Sequence, residues 1–186
     1  MAVTKLTTNG LTGNKYDIVS ADNYYMEPIA TTLLGSNQTT ITFSGIPNTY
    51  KHLQIRYINT TSTVNQNLIF RFNGDTGSNY AWHRLLGDGA SAIADGVSAT
   101  TGMNIGRSST TSPLFAGGVF DILDYANTSK FKTSRTLYGN DQNGSGVIFF
   151  GSGLWQNTAA ITSITITSAA GDFVTNSRFS LYGIKG

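Results

Sequence analysis

The chain has 186 residues and a formal net charge of +2 at pH 7, and only 12% of its residues are charged. This length suits one domain with, at most, an additional arm. The near-neutral charge excludes the dense phosphate neutralisation typical of nucleic-acid-binding proteins, so we expect no nucleic-acid partner. The absence of cysteine excludes disulfides, thiolate metal ligands and a cysteine nucleophile.

The composition predicts an all-β protein. Serine, threonine, asparagine and glycine dominate the chain, whereas glutamate, which is common in exposed helices, occurs once, at Glu27. The first ten residues lack the apolar run of a secretory signal, and no eighteen consecutive apolar residues occur anywhere. We therefore expect a soluble protein that is made in the cytoplasm and has no membrane partner.

Residues 1–36 show no sustained hydrophobic period and are predicted to form an extended amino-terminal arm with one helical turn at most. Tyr24, Tyr25 and Met26 are the apolar cluster of this arm. One interpretation lays these three side chains on the chain's own domain, and the other docks them on a neighbouring subunit. Both interpretations remain open at this point.

Residues 37–186 predict a single antiparallel β-sandwich. Short runs of alternating apolar and polar residues are separated by Gly, Asn and Asp turn signals, including residues 151–153. No helical period is long enough for a crossover, so a jelly-roll-like arrangement is favoured over a parallel sheet. Residues 87–112 are rich in small residues and predict long loops, with one weak strand at residues 103–105. The predicted strands lie around Ile41 and Phe43 and at residues 52–59, 68–72, 80–86, 119–125, 132–138, 147–150, 160–167 and 173–184.

Two motifs resemble catalytic or metal-binding sequences. Residues 75–78 spell the Asp-Thr-Gly-Ser signature of aspartic proteases, but Asn73 and Gly74 precede it where that signature has apolar residues, which favours a hairpin loop. Residues 141–146 place oxygen ligands at alternate positions, as calcium loops do, but Ser152 stands where the twelfth-position acid is expected. We favour turns at both places and predict no cofactor and no metal site.

Candidate acid and base groups are scarce. His52 and His83 are the only side chains with an ordinary pKa near neutrality, and no nucleophile elbow accompanies them. Asp121 and Asp124 lie three apart and are predicted to face opposite sides of a strand, with Asp124 accepting backbone hydrogen bonds in a turn. A Ser-His-Asp triad is not excluded by counting, but we predict no catalytic residue and no enzymatic activity.

Four aromatic residues are candidates for an interface or a glycan contact. Trp82 and Trp155 suit either stacking on sugar rings or packing in the core and at subunit contacts. Phe149 and Phe150 are adjacent in a predicted strand, so their side chains point to opposite faces. One of the two must therefore be covered by another layer or another subunit.

Several segments of the chain resemble small virion proteins of tailed bacteriophages, especially aquatic and cyanobacterial ones. The resemblance extends from about residue 23 to the end and implies a β-sandwich or jelly roll on the outside of a phage head or tail, with no catalytic residue to transfer. The segments that carry it are residues 40–56 (TITFSGIPNTYKHLQIR), 72–80 (FNGDTGSNY), 121–127 (DILDYAN), 153–155 (GLW), 161–164 (ITSI) and 180–184 (SLYGI).

With this resemblance, the sequence predicts a non-enzymatic virion structural protein that is assembled in the host cytoplasm. It would decorate or cement the capsid, or form part of a tail appendage, as a homotrimer or other symmetric oligomer. Its partners would be copies of itself and major capsid or tail proteins. The alternative is a receptor-binding module of a tail fibre, in which Trp82 and the predicted loops at residues 87–112 recognise a host surface glycan.

Overall fold

A computed structural model describes residues 25–63, 66–109 and 113–186. In these residues the chain forms β-strands and no helix. The all-β prediction is confirmed. The strands are β1 (Met26–Leu33), β2 (Thr40–Ser44), β3 (His52–Asn59), β4 (Asn67–Phe72), β5 (Tyr80–Gly87), β6 (Ala92–Thr100), β7 (Met103–Arg107), β8 (Ala116–Leu123), β9 (Lys132–Asp141), β10 (Gly146–Trp155), β11 (Ser163–Ser168) and β12 (Arg178–Ile184).

The strands form two antiparallel sheets that pack as a sandwich. The larger sheet has eight strands in the order β1-β12-β3-β8-β9-β10-β5-β6, and the smaller has four in the order β2-β11-β4-β7. If the hairpins β5–β6 and β9–β10 are set aside, eight strands remain, four in each sheet. Their order is β1-β12-β3-β8 in the larger sheet and β2-β11-β4-β7 in the smaller. This is the connectivity of a jelly roll, as the sequence predicts. The two hairpins lie side by side and extend one sheet beyond the other.

The core is built from the alternating strands that the sequence indicates. Phe70 and Phe72 of β4 point inward and are fully buried. Leu53 and Ile55 of β3 are also fully buried. The ring of Phe70 stacks on Phe120 with centroids 4.3 Å apart, and Phe72 meets Trp155 edge-on at 5.6 Å. Each such buried aromatic side chain contributes roughly 1.5–3 kcal/mol of burial free energy to folding.

The prediction of long loops at residues 87–112 is wrong, because most of this stretch forms β6 and β7. The weak strand predicted at residues 103–105 lies inside β7. The strand β6 is poor in strongly strand-forming residues, and pairing with β5 compensates for this weakness. Arg84 of β5 and Asp95 of β6 lie opposite each other and form two hydrogen bonds of 2.7 and 2.9 Å.

The prediction of a turn at residues 151–153 is also wrong, because these residues lie inside β10. A Cβ atom built on Gly153 would lie 2.4 Å from the sulfur of Met103 and 2.5 Å from the hydroxyl oxygen of Ser134. Glycine is therefore needed here so that the side chains of β7 can pack closely against β10. The small residues serve sheet packing and do not break the strand.

Part of the predicted arm belongs to the sandwich. Residues 26–33 form β1, which pairs with β12 from Met26 opposite Ile184 to Leu33 opposite Arg178. The described residues of the predicted arm, 25–36, contain no helical turn. Residues 1–24, with Tyr24, lie outside the described residues. The strand pairing of the larger sheet thus begins at Met26.

A buried lysine joins two loops at one end of the sandwich. Lys132 is 1% exposed, and its Nζ donates hydrogen bonds to the carbonyls of Asn127 at 2.6 Å, Lys130 at 3.0 Å and Thr158 at 2.9 Å. Burial lowers the pKa of this ammonium group. Since three carbonyls satisfy it, the ammonium is tolerated at the first residue of β9.

Candidate interaction surface

A row of apolar side chains crosses five strands on the outer face of the larger sheet. Val119, Leu137, Phe150, Leu85 and Ala94 are successive cross-strand partners on β8, β9, β10, β5 and β6. Phe150 is 60% exposed, Leu85 53% and Leu137 45%. We call these five residues the apolar strip. Directly opposed side chains on one sheet face are close enough to form a continuous surface.

Glycines beside the strip leave the surface open. Ile148 lies two residues before Phe150 on the same face of β10, is also exposed, and is paired with Gly87 on one side and Gly139 on the other. A Cβ atom built on Gly139 would meet nothing within 4 Å. The surface beside Ile148 is therefore open, and a partner side chain could pack against it.

The strip ends at a polar network on the same outer face. Asp121 accepts a 2.7 Å hydrogen bond from the Nε2 atom of Gln54 and a 2.9 Å hydrogen bond from the Nε atom of Arg135. Arg56, the cross-strand partner of Val119, donates a 2.9 Å hydrogen bond to Gln54 and lies 5.7 Å from the ring centroid of Tyr182. An apolar centre beside charged and amide groups is the usual composition of a protein interface.

The two phenylalanines separate as the strand pattern requires. Phe149 is buried in the core, 5.1 Å from the ring centroid of Tyr138, whereas Phe150 belongs to the apolar strip. Among the four aromatic candidates, Phe150 alone has an exposed side chain.

Both tryptophans are enclosed by the sandwich. Trp155 is 1% exposed and its Nε1–H donates to Asp75 Oδ2 at 2.8 Å. Trp82 is 6% exposed, and the guanidinium of Arg84 lies 5.1 Å from its ring centroid. Neither indole ring is open in this structure for stacking on a sugar.

Two of the three predicted docking residues of the arm, Tyr25 and Met26, lie in the described structure. Tyr25 is exposed, and its carbonyl accepts a 3.0 Å hydrogen bond from the amide of Lys185. Met26 starts β1, with its sulfur 3.7 Å from a guanidinium nitrogen of Arg56. Tyr24 lies outside the described residues.

The Asp-Thr-Gly-Ser motif forms the turn that the sequence favours. Asn73 and Gly74 both have positive φ, and the amide of Asp75 donates to the Phe72 carbonyl at 2.9 Å. The carboxylate of Asp75 accepts hydrogen bonds from Trp155, Asn79 and the amide of Gly77. These bonds, above all the one from Trp155, lower the pKa of Asp75. The carboxylate holds the turn against the core.

Residues 141–146 form the expected hairpin connection between β9 and β10. The amide of Gln142 donates to the Ser145 carbonyl at 2.8 Å, and the amide of Asn143 donates to Asp141 Oδ1 at 2.8 Å. Among the described residues, no three His, Asp or Glu side chains converge as a metal-binding group.

The remaining polar candidates form local pairs. Asp124 forms ion pairs with Lys51, at 3.2 Å, and with Lys130, and these two lysines lower its pKa. Asp124 lies in the predicted turn, where its carbonyl accepts a 3.0 Å hydrogen bond from the amide of Asn127, while its carboxylate serves the lysines. The amide of Asp124 donates to His52 Nδ1 at 3.0 Å, whereas His83 is exposed beside Gly96 on the outer sheet face.

Comparison with known proteins identifies no relative of this chain. No protein-family model, curated protein or solved structure matches the chain. Within the residues that the structure describes, no helix has the length and apolar character to cross a membrane. The apolar strip is the candidate interaction surface, because it is an exposed and contiguous apolar surface on a β-sheet.

Proposed function

We propose that this chain is a non-enzymatic structural protein of a tailed-bacteriophage particle, and that it works by binding a neighbouring protein subunit through the apolar strip. The particle would be assembled in the host cytoplasm. The strip carries the proposal, because monomeric proteins rarely expose a contiguous apolar surface without using it. The resemblance of the segments in residues 40–56 and 121–127 to phage virion proteins supports the class of assembly.

The strip suits a protein partner better than a sugar. Phe150, Leu85 and Leu137 offer apolar area with no hydrogen-bonding group of their own, and the nearest polar network, around Asp121, is already paired within the chain. Glycan sites combine an open aromatic ring with unpaired polar groups. A capsid or tail subunit with an exposed apolar side chain would bury Phe150 and contribute roughly 1–2 kcal/mol from that residue alone.

Incorporation into particles tests this proposal. Phage particles are assembled with wild-type chain, with Phe150→Ser, and with Phe131→Ser, a matched control because Phe131 is 49% exposed but lies in the loop between β8 and β9. Quantitative mass spectrometry of purified particles then gives the copy number. We expect Phe150→Ser to lower it about five-fold or more, and Phe131→Ser to leave it unchanged.

Equal incorporation of all three chains would contradict the role of the strip. Absence of the wild-type chain from the particles would contradict the proposal that it is a structural protein of the particle. Hundreds of wild-type copies would assign the protein to the head, and a few tens or fewer to the tail. Retention of the wild-type chain on a glycan array would favour the receptor-binding alternative.

A further inference from the structure

The edge strand β6 is a second unpartnered surface of the larger sheet. It is nine residues long, and all of its residues except Thr100 are exposed. In the described parts of the chain, β5 is the one strand that pairs with it. The far edge of β6 therefore presents free backbone N–H and C=O groups over most of its length.

The other three sheet edges offer fewer uninterrupted residues than β6, in which residues 92–97 pair regularly with β5 before the register shifts and Ala99 takes a positive φ. β1 contains Pro28, and its register is irregular between Pro28 and Ala30. β2 and β7 have five residues each. β6 contains no proline, lysine or arginine, and its one charged residue, Asp95, is neutralised by the bidentate ion pair with Arg84. Residues 92–97 of β6 therefore lack the proline, lysine and bulge that usually prevent edge-to-edge pairing.

The side chains of β6 are suited to meet a second copy of the same strand. Ile93 and Val97 lie on the core-side face, where they extend beyond the smaller sheet and are exposed. They are placed symmetrically, two residues before and two after Asp95. In an antiparallel pair centred on Asp95, Ile93 of each copy faces Val97 of the other, and on the outer face Ala94 faces Gly96. The two Asp95 carboxylates then face each other across the axis, and each is neutralised by its own Arg84. Apolar pairs and small residues of this kind favour a close strand contact.

We infer that β6 pairs antiparallel with β6 of a second copy of this chain about a two-fold axis normal to the sheet. The two larger sheets then become one continuous sheet. Both apolar strips lie on the same side of it and meet at the axis, because each strip reaches β6 at Ala94. This inference deepens the proposed function, since one dimer would present two joined strips and bind a repetitive partner bivalently.

Sedimentation equilibrium of the full-length chain tests the pairing. Ala94→Lys places a lysine on the outer face of β6, opposite Gly96 of the second copy and diagonal to its symmetry mate, whereas Ala30→Lys is the matched control on the opposite edge strand, where Ala30 is also exposed. Because edge pairing forms a small interface, we expect a concentration-dependent monomer–dimer equilibrium for the wild type. Ala94→Lys should raise the dissociation constant at least ten-fold, and Ala30→Lys should leave it unchanged. A wild-type chain that stays monomeric, or two variants that behave alike, would overturn the inference.

Amide hydrogen exchange identifies the strand involved. In the wild type, exchange within residues 92–100 should slow as the dimer forms, and in Ala94→Lys it should stay fast. Slow exchange in a monomer would mean that another segment of the same chain covers the edge, which would overturn the pairing. The two proposals fail separately. If Ala94→Lys loses the dimer but Phe150→Ser is incorporated normally, only the role of the strip is contradicted. If Phe150→Ser is poorly incorporated but the wild-type chain forms no dimer, only the pairing is contradicted.

Discussion

Among single residues, Asp75 lies in an Asp-Thr-Gly-Ser motif associated with catalysis, but its role in this structure is structural. Its carboxylate is committed to three donors, including the indole N–H of the buried Trp155 at 2.8 Å. A carboxylate that accepts several hydrogen bonds in its charged form has a lowered pKa, as is found here. The charge of Asp75 thereby fixes the turn after β4 to the core residue at the end of β10.

Replacing Asp75 with asparagine should destabilise the fold in a pH-dependent way. The variant keeps the shape of the side chain but loses the charge, and we expect a loss of about 1 kcal/mol in the free energy of unfolding at pH 7. Since the folded-state pKa is lowered, this stabilisation is complete above the ordinary aspartate pKa and is lost as the pH falls through the folded-state value. The wild type and Asp75→Asn should therefore converge in acid.

Urea unfolding followed by tryptophan fluorescence, at pH 7 and near pH 3, measures both differences. Asp172→Asn, at a turn without a tryptophan contact, is the control and should differ little from the wild type at either pH. A difference between wild type and Asp75→Asn that is the same at both pH values would show that charge is not what Asp75 contributes.

Single residues differ in how far the sequence reveals them. The opposite fates of Phe149 and Phe150 follow from strand alternation alone, and the turn at Asp75 follows from its Asn-Gly neighbours. The buried ammonium of Lys132 has no such signal, because its three carbonyl partners come from loops whose approach depends on the tertiary fold. The bond between Trp155 and Asp75 joins residues 80 positions apart and is equally invisible to local patterns.

Among the strands, β10 shows how a glycine-rich segment can be a central strand. Gly151 and Gly153 face the smaller sheet, where Ile105 and Met103 of β7 occupy the space that a Cβ atom would need. The composition of these residues resembles a turn, and only the packing partner distinguishes the two cases. The strand β6 is likewise not predictable from its composition, since its pairing with β5 outweighs its weak local strand preference.

A pair of glycine substitutions tests this packing. Gly153→Ala should lower the free energy of unfolding by about 1–3 kcal/mol, because the new methyl group would lie 2.4 Å from the Met103 sulfur and 2.5 Å from the Ser134 hydroxyl oxygen. Gly139→Ala, on the outer face of β9 with open space around it, should be neutral or stabilising by up to about 1 kcal/mol. Urea unfolding of both variants provides the comparison. Equal effects of the two changes would contradict the close contact of β7 and β10.

The whole molecule is a jelly roll in which two added hairpins make one sheet twice as wide as the other. The eight jelly-roll strands and the inner faces of the added strands β5, β9 and β10 bury the core, while the four added strands also carry most of the apolar strip and the free edge. The alternation of apolar residues was sufficient to predict the sandwich. The strip could not be predicted, because it depends on the register of five strands, and cross-strand register is set by turns and packing that the sequence does not display.

The central claim of this account is that the outer face of the added hairpins is where the protein binds its neighbours. Hydroxyl-radical footprinting of the free chain and of assembled particles measures this directly, residue by residue. The account predicts that Phe150, Leu85 and Leu137 are oxidised at least several-fold more slowly in the particle, while Phe131 is oxidised at the same rate in both. Unchanged oxidation of Phe150, Leu85 and Leu137 on assembly would contradict it.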